Sequence, residues 1–387
     1  MPLTTEHKII IGDAGNAAGI SAESIDLVVT SPPYPMITMW DDLFCSRNPK
    51  VAEKLKTGQG NEAFELMHSD LEPIWDRVYQ VLKPGGFACI NIGDATRKIK
   101  DEFCLYTNHA RLLHYLVKIG FSVLPDILWR KQTNSPTKFM GSGMLPAGAY
   151  VTLEHEYVLI VRKGGKRLFK TKAAIINRRQ SAIFWEERND YFSDIWTNLK
   201  GTVQRLDKNE ARSRSGAFPF ELAYRLINMY SVKGDTVLDP FAGTGTVMAA
   251  AMAACRNSTG VEIDPALLPV IHERTEKIVP FANQRIEDRL AAHLTFVQDR
   301  IEQKKSIRYI NRNYGFPVVT NQEKELLINA LETFHASGDN TWTMDYNREP
   351  QTNYCFEEAT TDGIKSVETT KVRLKKDPGQ MTLFEDK

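Results

Sequence analysis

An α/β fold built on a mostly parallel sheet is what this 387-residue sequence predicts. Short continuous apolar runs of strand length recur along the chain, and amphipathic stretches of helical period lie between them. The same alternation breaks off near residue 130 and resumes near residue 215, which frames a middle region of different character.

The elements follow in order. "HKIII" (7–11) and "IDLVVT" (25–30) are buried strands. "EAFELMHSDLEPIWDRVYQVLK" (62–83) sets Phe64, Met67, Leu71, Ile74, Trp75, Val78 and Leu82 at helical spacing, and Gly85-Gly86 is read as its stop. Strand "FACINIG" (87–93), a helix around 103–119 closed by Gly120, and strand "SVLPDILW" (122–129) come next. Between 130 and 215 the reading is loop-like, apart from strand "HEYVLIV" (155–161). Helix "FPFELAYRLINMY" (218–230) begins at a proline. "DTVLDP" (235–240), "GTVMAAAMAA" (245–254) and "STGVEID" (258–264) read as strand, helix and strand. Beyond Pro280 the pattern suggests two or three amphipathic helices and then a polar tail from about residue 350.

Composition bounds the function. The chain is 42% hydrophobic and 25% charged, as expected of a globular protein, with no apolar run of membrane-spanning length and no signal-peptide layout, so a cytoplasmic location is expected. Its five cysteines are widely spaced, with no Cys-x-x-Cys and no histidine at ligand spacing, so neither a disulfide framework nor a metal site is signalled. Net charge is +1, and any nucleic-acid contact must rest on a local patch.

Two stretches carry chemistry. In "DLVVTSPPYPMITMWDD" (26–42) the prolines end the strand at Thr30, which leaves Ser31-Pro32-Pro33-Tyr34 at its tip. In "VLDPFAGTGTVMAAA" a strand, a turn holding Gly243 and Gly245, and a helix follow one another, with Glu262 about 20 residues on. This is the layout of a nucleoside-cofactor site: glycines admit close backbone approach, and the acid suits a ribose diol. Met248 stands where a dinucleotide site wants glycine, and no lysine serves a phosphate loop. Asp239 opens the turn; it would repel pyrophosphate and attract an ammonium. S-adenosylmethionine has an ammonium, a ribose and no phosphate, so it is favoured over NAD.

Together, and in this order, Ser31-Pro32-Pro33-Tyr34 and Asp239 to Thr246 ("DPFAGTGT") resemble the amino-group DNA methyltransferases of the permuted β class. "FPFELAYRLI", "IIIGDA" and "LKPGGFACINIGD" add to the likeness, which spans roughly residues 7–280. The resemblance implies a doubly wound, mostly parallel seven-stranded sheet of the S-adenosylmethionine-dependent methyltransferase fold. It implies a catalytic half at 1–130, a target-recognition region at 131–215, a cofactor half at 216–280, and a helical extension and tail at 281–387. Ser31, Pro32, Pro33 and Tyr34 would be catalytic. Gly12, Asp13, Pro219, Asp239, Pro240, Phe241, Ala242, Gly243, Thr244, Gly245, Glu262 and Ile263 would bind S-adenosyl-L-methionine.

The chemistry fits that likeness. Fixed acceptors at the strand tip, the Pro32 carbonyl and the Ser31 hydroxyl, can hold the N–H groups of an exocyclic amino nitrogen. Tyr34 can stack on a base taken out of the duplex. No Pro-Cys dipeptide occurs, which argues against the thiolate route to cytosine C5. Serine in the first position favours cytosine N4, because Asp-Pro-Pro-Tyr is the more usual adenine pattern of the family; adenine N6 is the alternative. The expected partner is double-stranded DNA. A cognate restriction endonuclease would be a separate chain, and both monomer and homodimer stay open. For phosphate contact, the acid-free stretch 162–179 offers Lys163, Lys166, Arg167, Lys170, Lys172, Arg178 and Arg179. "WRKQTNSPTK" (129–138) is a second candidate, with Trp129 read as core, and Arg205, Arg212 and Arg214 a weaker third. The rival readings are a methyltransferase-like module that binds DNA without turnover, and a methyltransferase for RNA or protein glutamine.

Overall fold

The computed structural model describes residues 3–16, 19–131, 146, 150–199 and 218–354. Its strands in chain order are β1 (Leu3–Ile11), β2 (Ile25–Thr30), β3 (Leu82–Ile92), β4 (Ala95–Ile99), β5 (Glu102–Tyr106), β6 (Phe121–Val123), β7 (Ile127–Arg130), β8 (His155–Lys163), β9 (Ile195–Trp196), β10 (Thr236–Asp239), β11 (Asn257–Glu262), β12 (Tyr309–Ile310), β13 (Pro317–Val318), β14 (Leu331–Gly338) and β15 (Thr341–Tyr346). The helices are α1 (Asp41–Arg47), α2 (Pro49–Thr57), α3 (Gly60–Val81), α4 (Asn108–Lys118), α5 (Lys172–Gln180), α6 (Trp185–Tyr191), α7 (Phe220–Tyr230), α8 (Thr246–Ala253), α9 (Leu268–Glu276) and α10 (Ile278–Glu302).

One mixed sheet organises the molecule, in the order β14-β15-β1-β11-β10-β2-β3-β8-β7-β9, with β6 on β8. Its centre, β1-β11-β10-β2-β3, is parallel throughout. The carboxyl ends of these five strands therefore share one edge, where open α/β sheets bind ligands. β2 is buried along its whole length. Leu27 and Val29 face a core shared with α7, α8 and α10, and Val28 faces a second core under α3 and α4. Two-sided burial explains why "IDLVVT" is continuously apolar rather than alternating.

The sheet has eleven strands, not the expected seven. All seven predicted runs are present. The four additional strands come from Pro125, which splits "SVLPDILW" into β6 and β7, from the short β9, and from the hairpin β14–β15. That hairpin also corrects the helical extension. One long helix, α10, is followed by β14 and β15, and β15 pairs antiparallel with β1. Trp342, Met344 and Tyr346 are buried in strict alternation, a period of two. The tail from residue 355 lies outside the described residues.

Two boundaries also move. α3 ends before Leu82 and the chain passes straight into β3, since Lys83 precedes Pro84 and is held extended. Gly85-Gly86 lies inside the strand, where the register with β2 shifts. The stretch 95–106 is the hairpin β4–β5, and α4 starts at Asn108 rather than near 103. Among the described residues, no helix is long and apolar enough to cross a membrane.

Candidate active site

The tetrapeptide lies where the sequence predicts it. Thr30 is the last residue of β2, Pro32 and Pro33 are buried, and Ser31 and Tyr34 are half-buried. The turn after it is pinned. Asn108, fully buried at the start of α4, donates through Nδ2 to the carbonyls of Pro35 and Gly93, both at 3.0 Å. Its Oδ1 meets His68 Nε2 at 3.0 Å. Burial lowers the His68 pKa to about 3, so that imidazole is neutral. Met36 takes a left-handed backbone (φ 67°), strained for a side chain of its size, and is held by burial and an N–H contact to Met67 Sδ at 3.3 Å. Asp41, in the first turn of α1, forms a two-pronged ion pair with Arg97 of β4 at 2.7 and 2.6 Å. These contacts fasten the turn after the tetrapeptide to the end of β3, to β4 and to α3.

The Tyr34 hydroxyl sits in a polar cluster. It donates to Glu156 Oε2 (2.9 Å), and Asn91 Nδ2 (2.8 Å) and Ser31 Oγ (3.0 Å) donate to it. Asn91 Nδ2 also reaches Glu156 Oε2 at 2.7 Å, and Lys131 Nζ reaches Glu156 Oε1 at 2.9 Å. Burial, followed by the Glu156 charge, pushes the Tyr34 pKa well above that of a free phenol, so it stays protonated. Gly93 lies against the ring: a Cβ there would stand 3.0 Å from Tyr34 Cε2 and 3.2 Å from Glu156 Cγ.

β10 delivers the second half of the site. Val237 and Leu238 pair with Leu27 and Val28, so the tips of β2 and β10 are neighbours. Asp239 is buried; its Oδ1 accepts from Thr30 Oγ1 (2.6 Å) and from the Phe241 N–H (3.0 Å). Burial raises its pKa to about 7. Gly243 (φ 53°) and Gly245 (φ 78°) turn the chain into α8 through left-handed conformations that favour glycine. Glu262 ends β11 and is fixed by two backbone donors, Gly243 N–H on Oε2 (2.7 Å) and Asp264 N–H on Oε1 (2.9 Å); burial raises its pKa. Gly12 follows the tip of β1 and donates to the Glu262 carbonyl at 2.8 Å. Asp13 accepts from the Gly15 N–H and pairs with Arg47 at 2.6 Å. Pro240, Ala242 and Thr244 are buried in the loop, Phe241 packs near Trp75, and Ile263 is exposed. Pro219 caps α7 at the end of that helix away from the start of β10, and so lies toward the same edge.

The acid-free stretch is not brought to this edge. β8 runs antiparallel to β3, so Lys163 pairs at the far end, opposite Phe121 and near Phe87. Lys163 Nζ binds the Leu82 carbonyl and Glu23. Arg167 forms a two-pronged pair with Asp235 (2.7 and 2.9 Å) and approaches Asp26, at the starts of β10 and β2. A Cβ on Gly85 would come within 2.9 Å of the Arg167 backbone nitrogen, so the crossing is tight. Lys166, Lys170, Lys172, Arg178 and Arg179 are exposed around α5, whose Asn177 bonds to the Lys233 carbonyl on that same far edge. Trp129 is core, 1% exposed. Residues 132–138 and Arg205, Arg212 and Arg214 lie outside the described residues.

Sequence reasoning missed Asn91, Glu156 and Asn108. Asn91 interrupts an apolar strand and Glu156 begins another, which is the signal that could have marked them. Asp94 was missed as well: it accepts from the backbone and Nδ1 of His109, whose ring stacks on Tyr157 at 3.8 Å.

Comparison with known proteins agrees with this geometry. Residues 25–273 match the family model of the N6/N4 DNA methylases. The chain is 48% identical over 345 residues to the Type II methyltransferase M.MthZI of Methanothermobacter thermautotrophicus, covering 89% of this chain and 96% of that one. It is 50% identical over 283 residues to the Type II methyltransferase M.MjaI of Methanocaldococcus jannaschii, covering 70% and 92%. A DNA modification methylase of Thermus thermophilus, solved in complex with S-adenosyl-L-methionine, is 31% identical, with a TM-score of 0.55 over 71% of this chain and 96% of that one. The strand tips fit the same cofactor. A Cβ on Gly12 would meet nothing within 4 Å and one on Gly243 only a carbonyl at 3.8 Å, so both backbones border open space, and the nearby tips of β10 and β11 carry the buried acids Asp239 and Glu262. Sheet, family model and relatives agree: the chain belongs to the N6/N4 DNA methylase family and uses S-adenosyl-L-methionine.

Proposed function

We propose that this chain is a Type II methyltransferase that methylates the exocyclic amino group of one base in double-stranded DNA, with cytosine N4 as its target and adenine N6 as the alternative. The observation that carries the reading is adjacency. Ser31 to Tyr34 leave the tip of β2, Asp239 to Gly245 leave the tip of β10, and Thr30 is bonded to Asp239 between them. A base held by the first segment lies beside a cofactor held by the second.

When bound, S-adenosyl-L-methionine supplies a methyl group on a sulfonium, ready for direct displacement. The protein prepares the nucleophile. An exocyclic amino nitrogen is weak because its lone pair is delocalised into the ring. The Pro32 carbonyl and the Ser31 hydroxyl accept its two N–H groups and favour a more tetrahedral nitrogen. The prolines fix φ and so aim that carbonyl in advance, and the Tyr34 ring offers a stacking surface for a flipped base. Asp239 would pair with the cofactor ammonium and Glu262 with its ribose. Gly12 and Asp13 would stand beside the adenine and Pro219 at the methionine end, while Pro240, Phe241, Ala242, Thr244, Gly245 and Ile263 would shape the walls. Alignment of donor and acceptor does most of the work, and no thiolate takes part. The choice of cytosine rests on Ser31 standing where aspartate would favour adenine. A restriction endonuclease on a separate chain would complete the system.

The test is product identity. Purified protein, labelled cofactor and unmethylated plasmid DNA are incubated, and the nucleosides are separated by mass. N4-methylcytosine is expected. N6-methyladenine would overturn the base but keep the cradle, and label in RNA or protein alone would overturn the substrate.

A further inference from the structure

The polar cluster behind Tyr34 has a direction. Asn91 Nδ2 carries two hydrogens, and both are used, on Tyr34 Oη (2.8 Å) and Glu156 Oε2 (2.7 Å). A carboxylate only accepts, so the single Tyr34 hydrogen goes to Glu156 at 2.9 Å. The Tyr34 oxygen is thereby left as an acceptor toward Ser31, 3.0 Å away, and the Ser31 hydrogen points inward to it. The Asn91 orientation is set as well, because the reversed amide would put its Oδ1 against the Glu156 carboxylate. Lys131 holds the other Glu156 oxygen at 2.9 Å, and Gly93 packs on both Tyr34 and Glu156.

Resting on the amino-methyltransferase reading above, we propose that Glu156 is a positioning residue that sets the polarity of the chain Ser31→Tyr34→Glu156. With its proton drawn inward, Ser31 Oγ shows only lone pairs to the base, which is what an incoming amino N–H requires. Without a fixed acceptor at 156, Tyr34 can donate to Ser31 instead. The Ser31 hydrogen then turns outward and meets the amino hydrogens head-on. Glu156 touches neither base nor cofactor in this scheme. It acts through two hydroxyls, from a strand that neither family motif includes.

The experiment is a double-variant cycle on the full chain, read as single-turnover methyl transfer to DNA at saturating cofactor. Glu156→Gln keeps the shape but lets an amide N–H face Tyr34. It is expected to slow transfer by about tenfold or more, the scale of a misaligned reacting group, with cofactor and DNA affinity and melting temperature unchanged. Tyr34→Phe keeps the ring but cuts the chain. In that background Glu156→Gln is expected to add no further loss. A smaller loss in Glu156→Gln, or losses that multiply in the double variant, would overturn the proposal. Absence of transfer by the unaltered protein would instead overturn the functional reading on which it rests.

Discussion

The Thr30 hydroxyl donates to Asp239 across 2.6 Å, a side-chain bond that joins the strand ending in the tetrapeptide to the strand leading into the 239–245 loop, beyond their backbone pairing. Both residues are buried, so the bond has no competition from water and its loss would leave a buried acceptor short of a donor. Thr30→Val keeps the shape and removes the donor. It should destabilise the protein by about 1–3 kcal/mol and weaken cofactor binding, as read by thermal unfolding and titration calorimetry. Thr30→Ser should recover most of both. Equal behaviour of the valine and serine variants would show that the hydroxyl is idle.

Asp239 predicts a pH dependence. Burial raises its pKa from an ordinary 3.8 to about 7. The folded chain therefore holds a proton that the unfolded chain releases. The stability this confers is complete below about pH 4 and is lost as pH rises through about 7. Asp239→Asn should remove that component, seen as the difference between the two melting curves across this window. A cationic ammonium favours the ionised carboxylate. Cofactor affinity should therefore climb with pH toward 7, approaching about tenfold per unit, in the unaltered protein and not in the variant. A flat wild-type profile would remove Asp239 from ammonium binding.

Gly93→Ala tests how tightly the cluster is built. The added methyl would meet Tyr34 Cε2 at 3.0 Å and Glu156 Cγ at 3.2 Å. The Tyr34 ring has little room to retreat while its hydroxyl is bonded to three partners. A loss of about 1–3 kcal/mol is expected, as for other overpacked sites, with slower transfer in the folded fraction. Wild-type rate and stability would show that the ring moves freely.

Much of this was readable from the residues. "SPPY" and "DPFAGTGT" each fall at a strand tip as read, the structure adds that the two strands are neighbours, and all seven predicted strands are present. What escaped were partners set by the fold. Glu156 lies 122 positions from Tyr34, and Asn108 lies 73 from Pro35, separations that no local pattern encodes. The hairpin β14–β15 did show an alternating run in "TWTMDY", but helical spacing upstream masked it. The position of the acid-free stretch was not legible for a different reason. Charge density reveals solvent or acids nearby, not which end of a sheet carries it, and the antiparallel run of β8 takes it to the edge opposite the tips of β2 and β10.

That placement has its own test. Neutralising Lys166, Lys170, Lys172, Arg178 and Arg179 together should leave methylation and the salt dependence of DNA binding unchanged. If those side chains met phosphates, the slope of log affinity against log salt would flatten by about 0.9 for each phosphate no longer neutralised. A flatter slope would return the stretch to the DNA interface. Arg167→Gln is expected to differ from these, lowering the melting temperature, because buried Asp235 loses its two-pronged ion pair while Asp26 keeps Lys83.

The most direct test of the central claim is single-turnover methyl transfer by Ser31→Ala, measured beside its cofactor affinity. If the β2 tip holds the amino group and the β10 loop holds the cofactor, transfer should be lost while S-adenosyl-L-methionine binds as before. Full transfer by Ser31→Ala would contradict the account, since the hydroxyl at the strand tip would then have no part in holding the base.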